Sequence, residues 1–303
     1  MAIERRVVIE HSDVMAWVAQ PTAAALPPVP DAPRVTAASC APLREISIVD
    51  EKGDRRTICV PVERPLTVFL DGRELVTLMT LGACPEMLVL GYLLNQRLIG
   101  NVAMIESLGV DWNAGSAAVA TRTGIRGSGA DAAPGIVGTA CGLGTVFSDL
   151  MMQVEASALP QAESARISRS TLLHVLDSMR QYDAIHRAAG SVHSCALFQG
   201  ADLLVSIEDV SRHNGLDTVA GWMAFHGVSG GDKILFTTGR LTSEMVMKAA
   251  HNGVPIIVSR NGVTAMGCDL AVKLGMTLFG RAANRRFLCY VGAKRFEPEV
   301  GAD

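Results

Sequence analysis

Lys233-Ile234-Leu235-Phe236-Thr237 and Ile256-Ile257-Val258-Ser259 decide the fold, together with the segment from Thr242 to about Asn252 that lies between them. Each outer run is apolar, short and rich in β-branched residues, as a strand buried on both faces should be. The intervening segment opens Thr242-Ser243-Glu244, a helix-start pattern, and carries apolar residues at helical spacing. Strand, helix and strand at this spacing imply parallel pairing and an α/β sheet. The pattern extends in both directions. Downstream, a helix precedes Gly275, a strand surrounds Thr277, and a last strand runs from Phe287 to Val291. Upstream, Cys195–Phe198 and Leu203–Ile207 read as a strand pair around Gln199-Gly200, and Glu208 to Asn214 leads into a helix that ends at Gly227. Ser168 can cap a helix running to about Ala189, with Gly190 as its stop. The predicted class is α/β, with a mixed or largely parallel sheet.

The first half reads as a smaller, separate part. Residues 1–45 include the Ala/Pro-rich run Ala23-Ala24-Ala25-Leu26-Pro27-Pro28 and are expected to be a weakly ordered extension, with order beginning near Arg56. Residues 46–122 carry a hairpin signal, Asp71-Gly72, between Leu66–Leu70 and Leu75–Met79. Cys84-Pro85 then opens a helix that is apolar on most sides and therefore expected to be buried. Residues 123–147 form a glycine-rich stretch, expected to be a flexible loop, and residues 148–303 form the α/β domain.

Composition limits the function classes. The 303 residues are 49% hydrophobic and 19% charged, enough for a substantial core. A net charge of −3 argues against a general electrostatic grip on nucleic acid, and no apolar run reaches the roughly 20 residues of a membrane span. The opening Met1-Ala2-Ile3-Glu4-Arg5-Arg6 lacks the apolar core and cleavage site of a secretory signal. Seven dispersed cysteines do not make a disulfide framework, and the expected compartment is the cytoplasm.

Chemistry is expected in two regions. Gly138-Thr139-Ala140-Cys141-Gly142-Leu143-Gly144 sets one thiol among small residues that leave its sulfur unshielded. It is either a thiol presented for covalent chemistry or a small residue in a tight turn. The second region is the set of loops at the carboxyl ends of the strands, where open α/β sheets bind ligands. Thr238-Gly239-Arg240 precedes a helix N-terminus and suits an anion, or is simply a capped helix with a solvated arginine. His193 is a pocket residue or a satisfied core histidine. Asp209, Arg212 and His213 could bind a polar ligand or lock a loop by ion pairing. Arg281-Ala282-Ala283-Asn284-Arg285-Arg286 is a basic turn between two strands, suited to a polyphosphate. No Cys or His pairs stand at zinc-ligand spacing, so no structural metal is expected.

Taken together, these stretches resemble the formate dehydrogenase accessory sulfurtransferase family, the FdhD-type sulfur carriers. The resemblance runs from about Glu63 to Tyr290. It rests on Leu90-Gly91-Tyr92-Leu93-Leu94, Ala140-Cys141-Gly142, Gly190-Ser191-Val192-His193-Ser194, Thr238-Gly239-Arg240 and Lys248-Ala249-Ala250 with Gly253-Val254-Pro255. Its most specific piece is Glu208-Asp209-Val210-Ser211-Arg212-His213-Asn214 with Leu216-Asp217. The resemblance implies a cytidine-deaminase-like α/β domain with a smaller N-terminal part, usually as a homodimer. It also implies a sulfur carrier that takes persulfide sulfur from a cysteine desulfurase and passes it to the bis-guanine-dinucleotide molybdenum cofactor, bound as substrate, for formate dehydrogenase. Cys141 matches the first cysteine of the family's Cys-x-x-Cys loop, and the basic turn lies where the family is expected to contact the cofactor. Gly144 stands at the second cysteine, which leaves carriage intact and puts an internal resolving step in doubt. Ser211 stands where the family often has glycine. Two alternatives remain: a cofactor-binding chaperone that handles no sulfur, and a zinc nucleoside deaminase, whose paired cysteines and neighbouring glutamate are not found.

Overall fold

A computed structural model describes residues 26–124, 135–137, 159 and 165–298. Cys141 and all but three residues of the 125–147 stretch lie outside the described residues, as do residues 1–25. The described residues form two six-stranded sheets, two small two-stranded ones, and the helices that pack against them.

The N-terminal sheet has the order β1-β6-β7-β4-β5-β8. Its strands are β1 (Arg34–Val35), β4 (Arg64–Leu70), β5 (Arg73–Thr80), β6 (Ile105–Asp111), β7 (Ser116–Thr121) and β8 (Gly135–Val137). The hairpin between β4 and β5 turns at Asp71 and Gly72, both with positive φ, as a tight two-residue connection requires. The ribbon of β2 (Leu43–Val49) and β3 (Arg55–Pro61) stands apart from this sheet. Described strands therefore begin well before Arg56, where the sequence pattern places the onset of order. The ribbon buries little on either face, so it lacks the alternation that marks a strand.

The C-terminal sheet has the order β11-β10-β12-β13-β14-β15, from β10 (His193–Gln199), β11 (Asp202–Asp209), β12 (Lys233–Thr237), β13 (Ile256–Ser259), β14 (Thr277–Ala283) and β15 (Arg286–Val291). β12, β13 and β14 are parallel, and β10, β11 and β15 pair antiparallel at the flanks, so the sheet is mixed. Side chains alternate between two cores. Leu197, Leu235, Ile257 and Leu278 face α4 (Arg212–His226), α5 (Ser243–His251) and α6 (Ala265–Lys273). Phe198, Ile234, Phe236, Val258 and Phe279 face α2 (Arg169–Tyr182). β9 (Ile167–Ser168) and β16 (Phe296–Glu297) close a short parallel pair beside this core. Among the described residues no helix is long and apolar enough to cross a membrane.

The helix expected from Ser168 to Ala189 is two helices. Ser168 caps α2 by accepting from Thr171 N–H, but the chain breaks at Asp183 before α3 (Ala184–Ala189). The break turns the buried Asp183 carboxylate toward Arg260, at 2.6 Å. A tertiary ion pair thus overrides a local pattern that could continue.

α1 (Pro85–Asn95) joins the two halves. It is buried between the N-terminal core and α4, and Pro85 occupies its first turn as the sequence predicts. At the crossing, a Cβ on Gly91 would lie 1.7 Å from the carbonyl oxygen of Asp217, and one on Gly221 would lie 1.9 Å from that of Met87. The obstacles are backbone atoms, so the helices would have to separate. Gly91→Ala is expected to destabilise the fold by about 3 kcal/mol or more by denaturant titration. Gly100→Ala, whose nearest neighbour is the Met104 sulfur at 3.6 Å, should cost far less.

Candidate functional site

Most of the candidate residues of the second half converge on one rim. In the parallel strands β12, β13 and β14 it is the carboxyl end. The antiparallel registers bring the start of β10 and the end of β11 to the same side, with His193 opposite Asp209 and Cys195 opposite Thr237. The loop Thr238-Gly239-Arg240 sits at its centre. Thr238 N–H donates to the Ser194 carbonyl and the Thr238 hydroxyl accepts from Ser194 N–H, both at 2.9 Å, so this loop is hydrogen-bonded to β10. Gly239 N–H donates to the Thr237 hydroxyl (3.0 Å), and the Gly239 carbonyl accepts from the Ser259 hydroxyl (2.7 Å). Glycine is required at 239 because a Cβ would lie 2.7 Å from the Cβ and Cδ of Arg212. The Arg212 stem lies across the loop, and Arg240 beside it is exposed.

Two histidines face this group. His193 Nδ1 is 3.4 Å from the Thr238 hydroxyl, and His213 Nδ1 is 3.5 Å from Glu244 at the start of α5. Burial lowers the pKa of both, and nearby Arg212 lowers it further, joined by Arg240 at His193 and by Lys248 at His213. His213 falls to about 3. Both rings are therefore neutral near pH 7, and positive charge on the rim comes from the guanidinium groups. Arg212 Nε, His213 Nδ1 and Thr242 Oγ1 are buried polar atoms with no hydrogen-bond partner among the described residues. Such atoms suit a polar ligand that would supply the missing partners.

Four candidates point away from the rim. Asp209 is buried and its carboxylate is taken up by four donors: the Thr80 hydroxyl (2.5 Å), Leu81 N–H (3.2 Å), Ser211 N–H (3.2 Å) and the Asn214 amide (2.8 Å). It fastens the end of β5 to the start of α4 by hydrogen bonds, with no ion pair to Arg212 among the described residues. Burial raises its pKa to about 6. Ala282 is fully buried in the core facing α2. The basic turn is shorter than the sequence reading has it, because Ala283 already pairs with Arg286 and only Asn284 and Arg285 form the hairpin, both at positive φ. Its polar groups fold back onto α2: Arg285 pairs with Asp177 at 2.8 Å, and Asn284 accepts from Arg180 at 3.2 Å. Arg281 and Arg286 are exposed.

Sequence reasoning missed three groups: Arg260 on the rim, and Asp183 and Glu208 behind it. Glu208 accepts from Ile185 N–H (2.8 Å) and His186 N–H (2.9 Å), anchoring the start of α3, and burial raises its pKa to about 7. Asp183 and Arg260 form the ion pair at the α2–α3 break. The available signal was positional: Arg260 follows β13 as Thr238 follows β12. No three His, Cys, Asp or Glu side chains gather as metal ligands among the described residues.

The FdhD/NarQ family model matches residues 61–297, a span that contains the whole rim and Cys141. The chain belongs to the FdhD/NarQ family. Relatives named "Sulfur carrier protein FdhD" include one from Bacillus subtilis, 30% identical over 83% of this chain and 92% of its own. Another, from Bacillus pumilus, is 29% identical over 77% of this chain and 88% of its own. The fold is similar to the crystal structure of a formate dehydrogenase accessory protein from Desulfotalea psychrophila, with a TM-score of 0.65 at 22% identity, covering 86% of this chain and all of that one.

The depressed pKa of His213 carries a stability signature. Between about pH 6.5 and 3 the unfolded chain binds a proton that folded His213 refuses, so this group costs stability as pH falls. Urea titrations should show His213→Asn losing less stability than the parent between pH 6.5 and 4. Parallel curves would mean that His213 protonates normally in the fold.

Proposed function

We propose that the chain is a sulfur carrier and sulfurtransferase in formate dehydrogenase maturation. It takes sulfane sulfur from a cysteine desulfurase onto Cys141 and passes it to the bis-guanine-dinucleotide molybdenum cofactor, held as substrate at the cationic rim. The observation that carries this reading is the family match over residues 61–297, because relatives aligned with most of this chain are named sulfur carriers. The rim supports it chemically. Arg212 and Arg240 stand beside a loop whose Thr238 and Gly239 N–H groups are spent within the protein, just ahead of the α5 N-terminus, and the two guanidinium groups with that helix start suit a diphosphate.

The thiol inventory disfavours four of the six other cysteines and leaves Cys40 and Cys59, both half-buried, beside Cys141. The thiolate is the nucleophile in sulfur exchange, so a buried thiol is a poor carrier. Burial pushes Cys84 and Cys195 up to about 12 and also raises Cys289 and Cys268. Cys59 lies within β3. In the loading step the Cys141 thiolate attacks the outer sulfur of the desulfurase persulfide. One S–S bond forms as another breaks, and the desulfurase cysteine leaves as thiolate without net oxidation. A single cysteine suffices, so Gly144 is compatible with carriage. Gly144 also favours a second reading, a cofactor-binding chaperone that transfers no sulfur.

Intact-mass measurement after incubation with a cysteine desulfurase and cysteine separates the two. The full chain should gain about one sulfur atom, removable by a reductant, and Cys141→Ala should gain none while remaining folded. Loading that survives in Cys141→Ala would assign carriage to another thiol. No loading of the parent alongside tight nucleotide binding would favour the chaperone. In titrations with guanosine diphosphate, Arg240→Ala should weaken binding roughly ten- to a hundredfold, the effect of one charge-assisted contact.

A further inference from the structure

We infer that Arg260 is a phosphate-binding residue of the rim, taking the diphosphate of a guanine dinucleotide between Arg240 and Arg281. This rests on the reading that the rim holds the dinucleotide cofactor. Position is the first observation. Arg260 is the residue after β13, and its N–H donates to the Thr237 carbonyl at 3.1 Å, directly before the Thr238-Gly239-Arg240 loop. On its other side Arg281 N–H donates to the Asn261 carbonyl at 2.8 Å. Arg260 thus bridges two cationic segments that the sequence separates by forty residues or so, and fills the middle of the rim between them.

Its environment holds the side chain ready. The guanidinium carbon lies 5.6 Å from the centre of the Phe236 ring, and Nη1 lies 2.6 Å from the Asp183 carboxylate. An aromatic face and a buried carboxylate together restrict a side chain that would otherwise lose much rotamer freedom on binding. The pair is close, yet neither Asp183 oxygen is aligned for a hydrogen bond. The guanidinium has no other polar side-chain partner among the described residues, and the Arg260 side chain is 26% exposed. A planar fork of five donors, pinned from behind by one badly aligned anion, retains donors for a second, bidentate one. Asp183 is 2% exposed, so the pair also holds the α2–α3 break in place, and removing the charge of Arg260 would leave a buried carboxylate alone.

Arg260→Lys is therefore the informative variant, since it keeps the charge beside Asp183 and loses the fork. Calorimetric titration of the full chain with guanosine diphosphate should show affinity falling about tenfold or more, with guanosine binding unchanged. A thermal melt checks that the variant is folded. Guanosine diphosphate binding within about twofold of the parent, or equal losses for the diphosphate and the nucleoside, would overturn the assignment. Unchanged binding in the variant sinks Arg260 alone. A parent chain that binds no guanosine diphosphate sinks both this inference and the cofactor half of the proposed function, while sulfur loading on Cys141 is measured independently.

Discussion

The close crossing of α1 and α4 is the constraint on which the rest of the structure depends. Gly91 and Gly221 let each helix rest on the other's backbone, at a distance that any Cβ would prevent. Contact this close leaves no room for water or large side chains. The polar groups that remain at the crossing must satisfy one another. They do so in a buried chain: Asp217 on α4 accepts from Asn95 on α1 (2.7 Å) and from Lys248 on α5 (2.9 Å), and Asn252 donates to Asn95 (2.9 Å). Both charges are nearly inaccessible, so losing either partner would strand the other in a low-dielectric interior. One contact therefore fixes three helices and both sheets.

That arrangement also places the site. α4 begins at Arg212, so whatever fixes its axis fixes Arg212 and His213 against the Thr238-Gly239-Arg240 loop. Asp209 secures the same helix start from the other side, by gathering donors from β5 and from the turn into α4. The N-terminal part is thus a brace for the cationic rim of the other sheet.

The electrostatics of the rim follow from which groups are buried. Three carboxylates sit behind it and are consumed by protein partners, Asp183 by Arg260, Glu208 by the first N–H groups of α3 and Asp209 by four donors, while Glu244 at the start of α5 faces His213 on the rim. The histidines are held neutral by burial and by neighbouring cations. Arg212, Arg240, Arg281 and Arg286 remain along the edge, so a chain of net charge −3 presents a positive rim where its strands end. Overall charge says little about a local field of this kind.

The parallel unit from Lys233 to Ser259 was legible residue by residue, because strands buried on both faces must be apolar throughout and a capped helix must separate them. The buried character of α1, the hairpin at Asp71-Gly72 and the collection of candidates at the strand ends were legible for the same reason. Each is imposed by local periodicity or by a turn conformation. The break at Asp183, the inward turn of Asp209 and Ala282, the two-residue hairpin at Asn284-Arg285 and the place of Arg260 depend on partners distant in the chain. Asp183 finds Arg260 across seventy-odd residues, and Asp209 finds Thr80 across more than a hundred. A sequence states which groups need partners. Only the packed chain brings those partners within a few ångströms, where charge and hydrogen bonding decide which candidates face inward and which remain on the rim.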